Sequence, residues 1–180
     1  PGLAECLRGT APLQAVRYSD RYLRSPLAFL LLHSLLEGLA RYPGGLTPAA
    51  VVKIETAQLD RLGMETPRWL FHDWRDSGDR RQVVETWFAE TWPTLTWQEA
   101  RSRDLSHARE LTLLWNESEC WTVRLDQGFG YWGVASHTRP KFPFGSETGR
   151  QIAKLRQASL IVEPLNSDYP TGWYCGRLAK

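Results

Sequence analysis

Long apolar runs are missing from this sequence. The longest, Pro26 to Leu36, is broken by His33 and Ser34 and falls well short of the ~18–20 residues that a membrane-crossing helix requires. Cysteine is scarce too. Cys6, Cys120 and Cys175 are widely spaced, odd in number and in no C-x-x-C pair, which argues against a disulfide framework and against a zinc knuckle. Charge of one sign is also lacking: 22 basic residues against 20 acidic ones leave a net +2, so composition alone demands neither nucleic acid nor an anionic membrane. No basic stretch followed by an apolar, cleavable segment opens the chain. A soluble, cytoplasmic domain is expected, and a first residue that is Pro1 rather than Met suits a fragment of a larger protein.

What is present suits one domain with a real core. The chain has 180 residues, 42% hydrophobic and 23% charged, near the averages for globular proteins. Two excesses mark it. Only Lys53, Lys141, Lys154 and Lys180 are lysines, so the other 18 basic residues are arginine, and there are nine tryptophans. Arginine binds planar oxyanions and stacks on aromatic rings better than lysine does, although a GC-rich coding sequence accounts for most of such an excess.

Periodicity and punctuation give the organisation. Residues 1–12 read as a lead-in or linker stub and 13–180 as the domain. Leu13 to Tyr18 alternates as a strand does. Ser25 is a suitable N-cap and Pro26 a suitable first residue for a helix running to about Tyr42, apolar nearly all round and stopped by Pro43-Gly44-Gly45. Val51 to Gln58 reads as a strand, and Ser77 or Asp79 caps a helix reaching about Glu90. Strands are expected at Leu95–Ala100, Glu110–Trp115 and Trp121–Leu125, then a glycine-broken loop, a helix at Thr148–Gln157, and strands near Leu160–Val162 and Trp173–Gly176. This order predicts an α/β fold with a mixed central sheet flanked by helices.

Chemistry concentrates in two places. His107 and Arg109 stand two apart at the mouth of a strand, hence on one face, the spacing that sets an imidazole beside a cation able to hold a phosphate oxygen. Farther on, Arg124, Asp126 and Gln127 lead into Gly128, Gly130, Tyr131 and Trp132, where glycines let the backbone approach an anion closely. With Arg21 and Arg24 flanking, these residues form the expected anion- or nucleic-acid-binding set: Arg109 and Arg24 on a phosphate oxygen, His107 donating a hydrogen bond, Trp132 and Tyr131 stacking on a base.

A strand opening H-x-R, a turn, a second strand and then Arg124-Leu125-Asp126-Gln127-Gly128-Phe129-Gly130-Tyr131-Trp132 resembles the phospholipase D-like domain at the C-terminus of MIT-domain proteins. Asp20-Arg21-Tyr22-Leu23-Arg24 ahead of an apolar helix is similar to the opening of that family. The segments from Asp20 to Pro26 and from Asp126 to Trp132 also resemble C-terminal regions of bacterial phage-defence helicases. The likeness spans roughly residues 16–162 and implies a single phospholipase D-like domain. The catalytic pattern of that superfamily is H-x-K, four residues, then D. Arg109 stands where the lysine belongs and Leu114 where the aspartate belongs, and there is one such motif rather than two. The resemblance therefore implies a binding module without catalysis or cofactor, taking nucleic acid (DNA before RNA) or other domains of its parent protein. Phospholipid is the weaker expectation, since no basic amphipathic helix is evident.

Two other readings compete. One is a phosphodiesterase or nuclease using His107 as nucleophile in a homodimer, with Asp126 as acid. The other is a purely structural docking domain. Ordinary roles are also expected for several residues: a core position for His33, loop anchoring for Trp69, Trp74 and Trp132, an ion pair of Arg109 with Glu110 or Asp104, one joining Asp20 or Arg21 to the glycine-rich loop, and a local surface spot for Arg80-Arg81. His72 and His137 lack a second ligand at useful spacing, so no metal site is expected.

Overall fold

A computed structural model describes residues 11–59, 69–116, 120–125, 129, 132–134, 140–158, 162–164 and 173–177, with 132–134, 162–164 and 173–177 described by their backbone. In chain order the elements are β1 (Leu13–Ser19), α1 (Pro26–Ala40), β2 (Leu46–Ala57), α2 (Ser77–Ala89), β3 (Thr96–Ala100), a 3-10 turn (Ser102–Asp104), β4 (Arg109–Leu114), β5 (Cys120–Leu125), β6 (Trp132–Val134), α3 (Thr148–Gln157), β7 (Val162–Pro164) and β8 (Trp173–Arg177). Six strands form one sheet in the order β3-β2-β1-β4-β5-β8, while β6 and β7 pair separately. β1, β2 and β3 run parallel; β4, β5 and β8 continue the sheet antiparallel. The mixed sheet flanked by helices is the one expected.

Alternation explains how the sheet is covered. Val16 pairs with Val52 on one side and Leu113 on the other, and Tyr18 with Ile54 and Leu111. All six are at most 1% exposed, so they line one face. The helices bury that face in a single core that also takes Phe29, Leu32, Leu36, Val83, Val84, Phe88, Ile152 and Leu155, each such side chain contributing about 1.5–3 kcal/mol on leaving water. The residues between them, Arg17, Val51 and Lys53, are exposed on the opposite face.

The ends of α1 follow the expected punctuation. Ala28 N donates to Ser25 Oγ at 3.3 Å, Pro26 fills the first turn, and the chain leaves through Gly44 at φ 71°, a conformation that suits glycine. Gly45 has no room for a side chain, because a Cβ there would meet the Leu39 carbonyl at 1.9 Å.

Several expectations need correcting. β2 starts at Leu46, five residues before Val51. Pro48 falls where the β1–β2 register shifts, between Leu13 and Ala15, and where β3, whose pairing begins at Lys53, does not reach, so its missing N–H breaks no ladder on that side. The cap of α2 is Asp76, whose Oδ1 accepts from Asp79 N at 2.7 Å. Trp132 lies in a strand rather than a loop, opposite Pro164. Arg80 is not a surface basic spot; it is fully buried. Trp74 is a loop anchor, 2% exposed and edge-on to Phe29 and Phe142. Residues 1–10 of the lead-in expected at 1–12, and the loop glycines Gly128 and Gly130, lie outside the described residues.

Candidate functional site

The sheet order reverses beside β1. The chain runs outward through β2 to β3 and then returns across the sheet to β4 on the other side of β1. β4 is antiparallel to β1, so the return segment, residues 101–108, crosses the carboxyl ends of β2 and β1. The carboxyl ends of parallel strands are where α/β sheets commonly bind ligands. His107 is carried there by the return segment, and Arg21 and Arg24 by the turn that leaves β1.

That turn is built around Asp20. Its N–H continues the ladder to Glu55 O at 3.0 Å, and its carbonyl accepts from Leu23 N at 3.2 Å. Its Oδ1 accepts from Tyr22 N at 2.8 Å, a side-chain turn of the kind short acids favour. Its Oδ2 accepts from the buried Tyr18 hydroxyl at 3.0 Å. Leu23, wholly buried, pins the turn to the core. Thr56 Oγ1 donates to the carbonyls of Asp20 and Leu23, and Arg80 Nη1 donates to Leu23 O at 3.1 Å. The remaining anchors of Arg80 are Ala57 O and Glu99 Oε1, both at 2.8 Å from Nη2, with its guanidinium over the Trp97 ring.

Around this turn the structure gathers Arg21, His107 and Arg109. Arg21 Nη1 lies 2.9 Å from His107 Nε2. Arg109 Nε lies 3.7 Å from Asp20 Oδ1, so Asp20 is a carboxylate partner of Arg109, where Glu110 or Asp104 was expected. The guanidiniums of Arg21 and Arg109 stand 4.8 and 4.7 Å from the centre of the Tyr22 ring, and Tyr22 is 42% exposed. Burial pushes the Asp20 carboxyl up from its ordinary value, against the Tyr22 N–H, the Tyr18 hydroxyl and Arg109, which all favour its ionised form. The Tyr18 phenol is pushed well up, first by burial and then by Asp20.

Arg24 is next to this group, its Nε donating to Arg21 O at 3.4 Å. Neither Arg21 nor Arg24 has a carboxylate within ion-pair distance among the described residues. Arg124 is elsewhere. It pairs with Glu110 across β4 and β5, 2.9 Å from its Oε1, and alternation puts both on the face opposite Arg109. Asp126, Gln127, Gly128 and Gly130 lie outside the described residues, as does the side chain of Trp132. Phe129, from the same loop, packs its ring 5.3 Å from that of Tyr18, which brings that part of the loop beside the Asp20 turn.

Sequence reasoning missed three residues that shape the site. Arg80 had a legible signal: with Val83, Val84 and Trp87 it follows i, i+3, i+4, i+7 spacing, which puts it on the buried stripe of α2. Thr56 continues the inward alternation of Ala50, Val52 and Ile54. Tyr22 has no local signal, since its role depends on arginines from two segments.

Among the described residues there is no group of three or more His, Cys, Asp or Glu side chains that could hold a metal ion, and no helix is long and apolar enough to cross a membrane. Compared with known proteins, residues 1–177 match the family described as DEAD/DEAH box helicase YjiV, C-terminal domain. No curated protein and no solved structure matches the chain.

Proposed function

Because the chain belongs to the family of the DEAD/DEAH box helicase YjiV C-terminal domain, we propose that it is a binding module of a helicase, holding the backbone of a nucleic-acid strand at the cluster of Arg21, Arg24, His107 and Arg109. The observation that carries this reading is the pair Arg21 and Arg24: half-buried, at the carboxyl ends of the parallel strands, and with no carboxylate within ion-pair distance among the described residues, Asp73 acting on Arg24 only from farther away. Arginines held in this way meet a phosphate with donors already in place. The exposed Tyr22 offers a surface on which a base can stack.

The reading keeps the resemblance to phospholipase D-like domains and puts the fold to use in binding. Arg21 can only donate, so the lone pair of His107 Nε2 is taken up by its guanidinium and is not available for attack on phosphorus. Leu114 stands where an acid would stand, and its side chain can neither give nor take a proton. Both features favour binding over the nuclease alternative. DNA is the expected strand, a bacterial phage-defence helicase the expected parent, and the cytoplasm the expected setting.

Fluorescence anisotropy with labelled single- and double-stranded DNA and RNA across a salt series tests it. Binding should fall steeply with salt, and Arg21→Ala with Arg24→Ala should weaken it about tenfold or more and lower the salt slope by about 1.4–1.8, for two lost phosphate contacts. An unchanged affinity and slope in that double variant would remove the site assignment. No binding at low salt would turn the reading towards docking on the parent protein.

A further inference from the structure

A second cluster of cations lies away from the β1 turn. α3 presents Arg150, Ala153, Lys154 and Gln157 at i, i+3, i+4 and i+7, one stripe of the helix, while Gln151, Ile152 and Leu155 form the buried stripe. Opposite that stripe is the segment 141–143. Its place is set by an antiparallel bridge between Trp69 and Lys141, by Leu70 N donating to Pro140 O at 3.0 Å, and by Phe142, 4% exposed and packed on Trp74 and Phe144. Between helix and segment is an open groove of about 390 Å³ lined by Lys141, Phe142, Pro143, Arg150, Ala153, Lys154 and Gln157, of which Lys141, Arg150, Ala153 and Gln157 are exposed.

Three features mark this solvent-exposed basic groove. The lining holds three cations and no acid, and none of the three has a carboxylate within ion-pair distance among the described residues. By contrast Arg156, on the same helix, is paired with Glu90. Arg150 occupies the first turn of α3, where the helix dipole disfavours a cation. Two of the chain's four lysines line this one groove, in a protein with 18 arginines. Lysine is a compact point charge without the planar fork that suits a carboxylate, and ammonium groups with a guanidinium around one space fit a tetrahedral oxyanion. The volume is within the range of small-molecule sites, with the Gln157 amide available as a neutral donor and Phe142 and Pro143 as an apolar wall for the group attached to the anion.

We propose that this groove is a phosphate-binding site and that the phosphate it takes belongs to a nucleic-acid backbone, giving the domain a second contact with its strand. The identity of the strand rests on the function proposed above; the affinity for phosphate does not.

Two measurements on the 180-residue chain separate those parts. First, amide NMR follows a titration with inorganic pyrophosphate. Saturable shifts confined to residues 141–143 and 150–157, abolished by Arg150→Ala with Lys154→Ala, uphold the phosphate site; absent or unsaturable shifts overturn it. Second, DNA and RNA anisotropy across a salt series compares that double variant with Arg21→Ala/Arg24→Ala, circular dichroism confirming that both fold. The groove variant should lose about tenfold in affinity and about 1.4–1.8 in salt slope. Loss in the groove variant alone supports the groove and overturns the β1-turn reading. Loss in the β1-turn variant alone overturns the nucleic-acid role of the groove and leaves the other reading standing. A wild-type chain that binds no nucleic acid overturns both nucleic-acid assignments, and the pyrophosphate titration then decides the phosphate site by itself.

Discussion

Arg21 Nη1 lies 2.9 Å from His107 Nε2, joining the turn that leaves β1 to the segment that enters β4, 86 residues later. A guanidinium has no acceptor, so the imidazole nitrogen accepts and the ring proton resides on Nδ1. This tautomer can be observed directly. Long-range ¹H–¹⁵N correlation at neutral pH should show His107 protonated on Nδ1, and Arg21→Ala should release the ring towards the other tautomer. Finding the proton on Nε2 in the unmodified chain would rule out the arrangement and the argument against nucleophilic attack that depends on it.

Gln151 is fully buried and connects three elements. Its Nε2 donates to Asp79 Oδ1 at 2.6 Å and Ser146 O at 2.9 Å, and its Oε1 accepts from the indole of Trp74 at 3.3 Å. Gln151→Leu keeps the bulk but leaves a buried indole N–H without its acceptor, at a cost of about 1–3 kcal/mol. Urea unfolding should show that loss, and the effects of Gln151→Leu and Trp74→Phe should sum to more than the double variant shows. Strict additivity would mean that the contact contributes nothing.

How much of this was legible in the sequence varies with the range of the interaction. α1 and α3 were read nearly to the residue because capping and stop signals are local: Ser25-Pro26 opens one, and the three-to-four spacing of Gln151, Ile152 and Leu155 marks the other. The H-x-R pair was located at the strand mouth for the same reason. Partners were not legible. That Arg109 answers Asp20, and that Glu110 answers Arg124, follows from β4 lying between β1 and β5, a pairing order no local pattern encodes. Arg80 went unread because burial of an arginine is the exception, and because its three acceptors come from three separate segments.

His33 is buried against α2, its ring stacked on Trp87 at 4.2 Å, with Glu37 Oε1 3.8 Å from Nδ1. Burial holds its pKa below the ordinary 6.5; Glu37 and Glu90 act in the opposite sense and Arg156 adds to the lowering. The unfolded chain therefore takes up the proton first as pH falls. His33 contributes its full stability above about pH 6.5, and that contribution is lost as pH drops through the lower folded value. Urea denaturation at pH 7.5 and 5.5 should show a larger decline in the unmodified chain than in His33→Phe. Equal declines would exclude His33 as a source of the acid sensitivity.

Arg80 tests whether the β1 turn is held from beneath. Its side chain is fully buried, its Nη1 and Nη2 donate to Leu23 O and Ala57 O, and its charge is answered by Glu99 at 2.8 Å, itself 15% exposed. Replacing such a pair with apolar residues can be neutral, but removing one partner strands the other charge, at about 3–5 kcal/mol. Both single variants are thus expected to be damaging: Arg80→Met leaves Glu99 unpaired and the carbonyls of Leu23 and Ala57 without their donor, while Glu99→Gln, whose amide oxygen can still accept from Arg80 and from the Trp97 indole, now 3.1 Å from Glu99 Oε1, leaves the buried guanidinium without its counter-charge. Unfolding curves of the two single variants and the double variant measure both losses. The turn bearing Arg21 and Arg24 hangs on Leu23, so amide exchange at residues 20–24 should quicken in Arg80→Met beyond what global destabilisation accounts for. Exchange that follows global stability alone would show that Thr56 and the Asp20 side chain suffice to hold the turn.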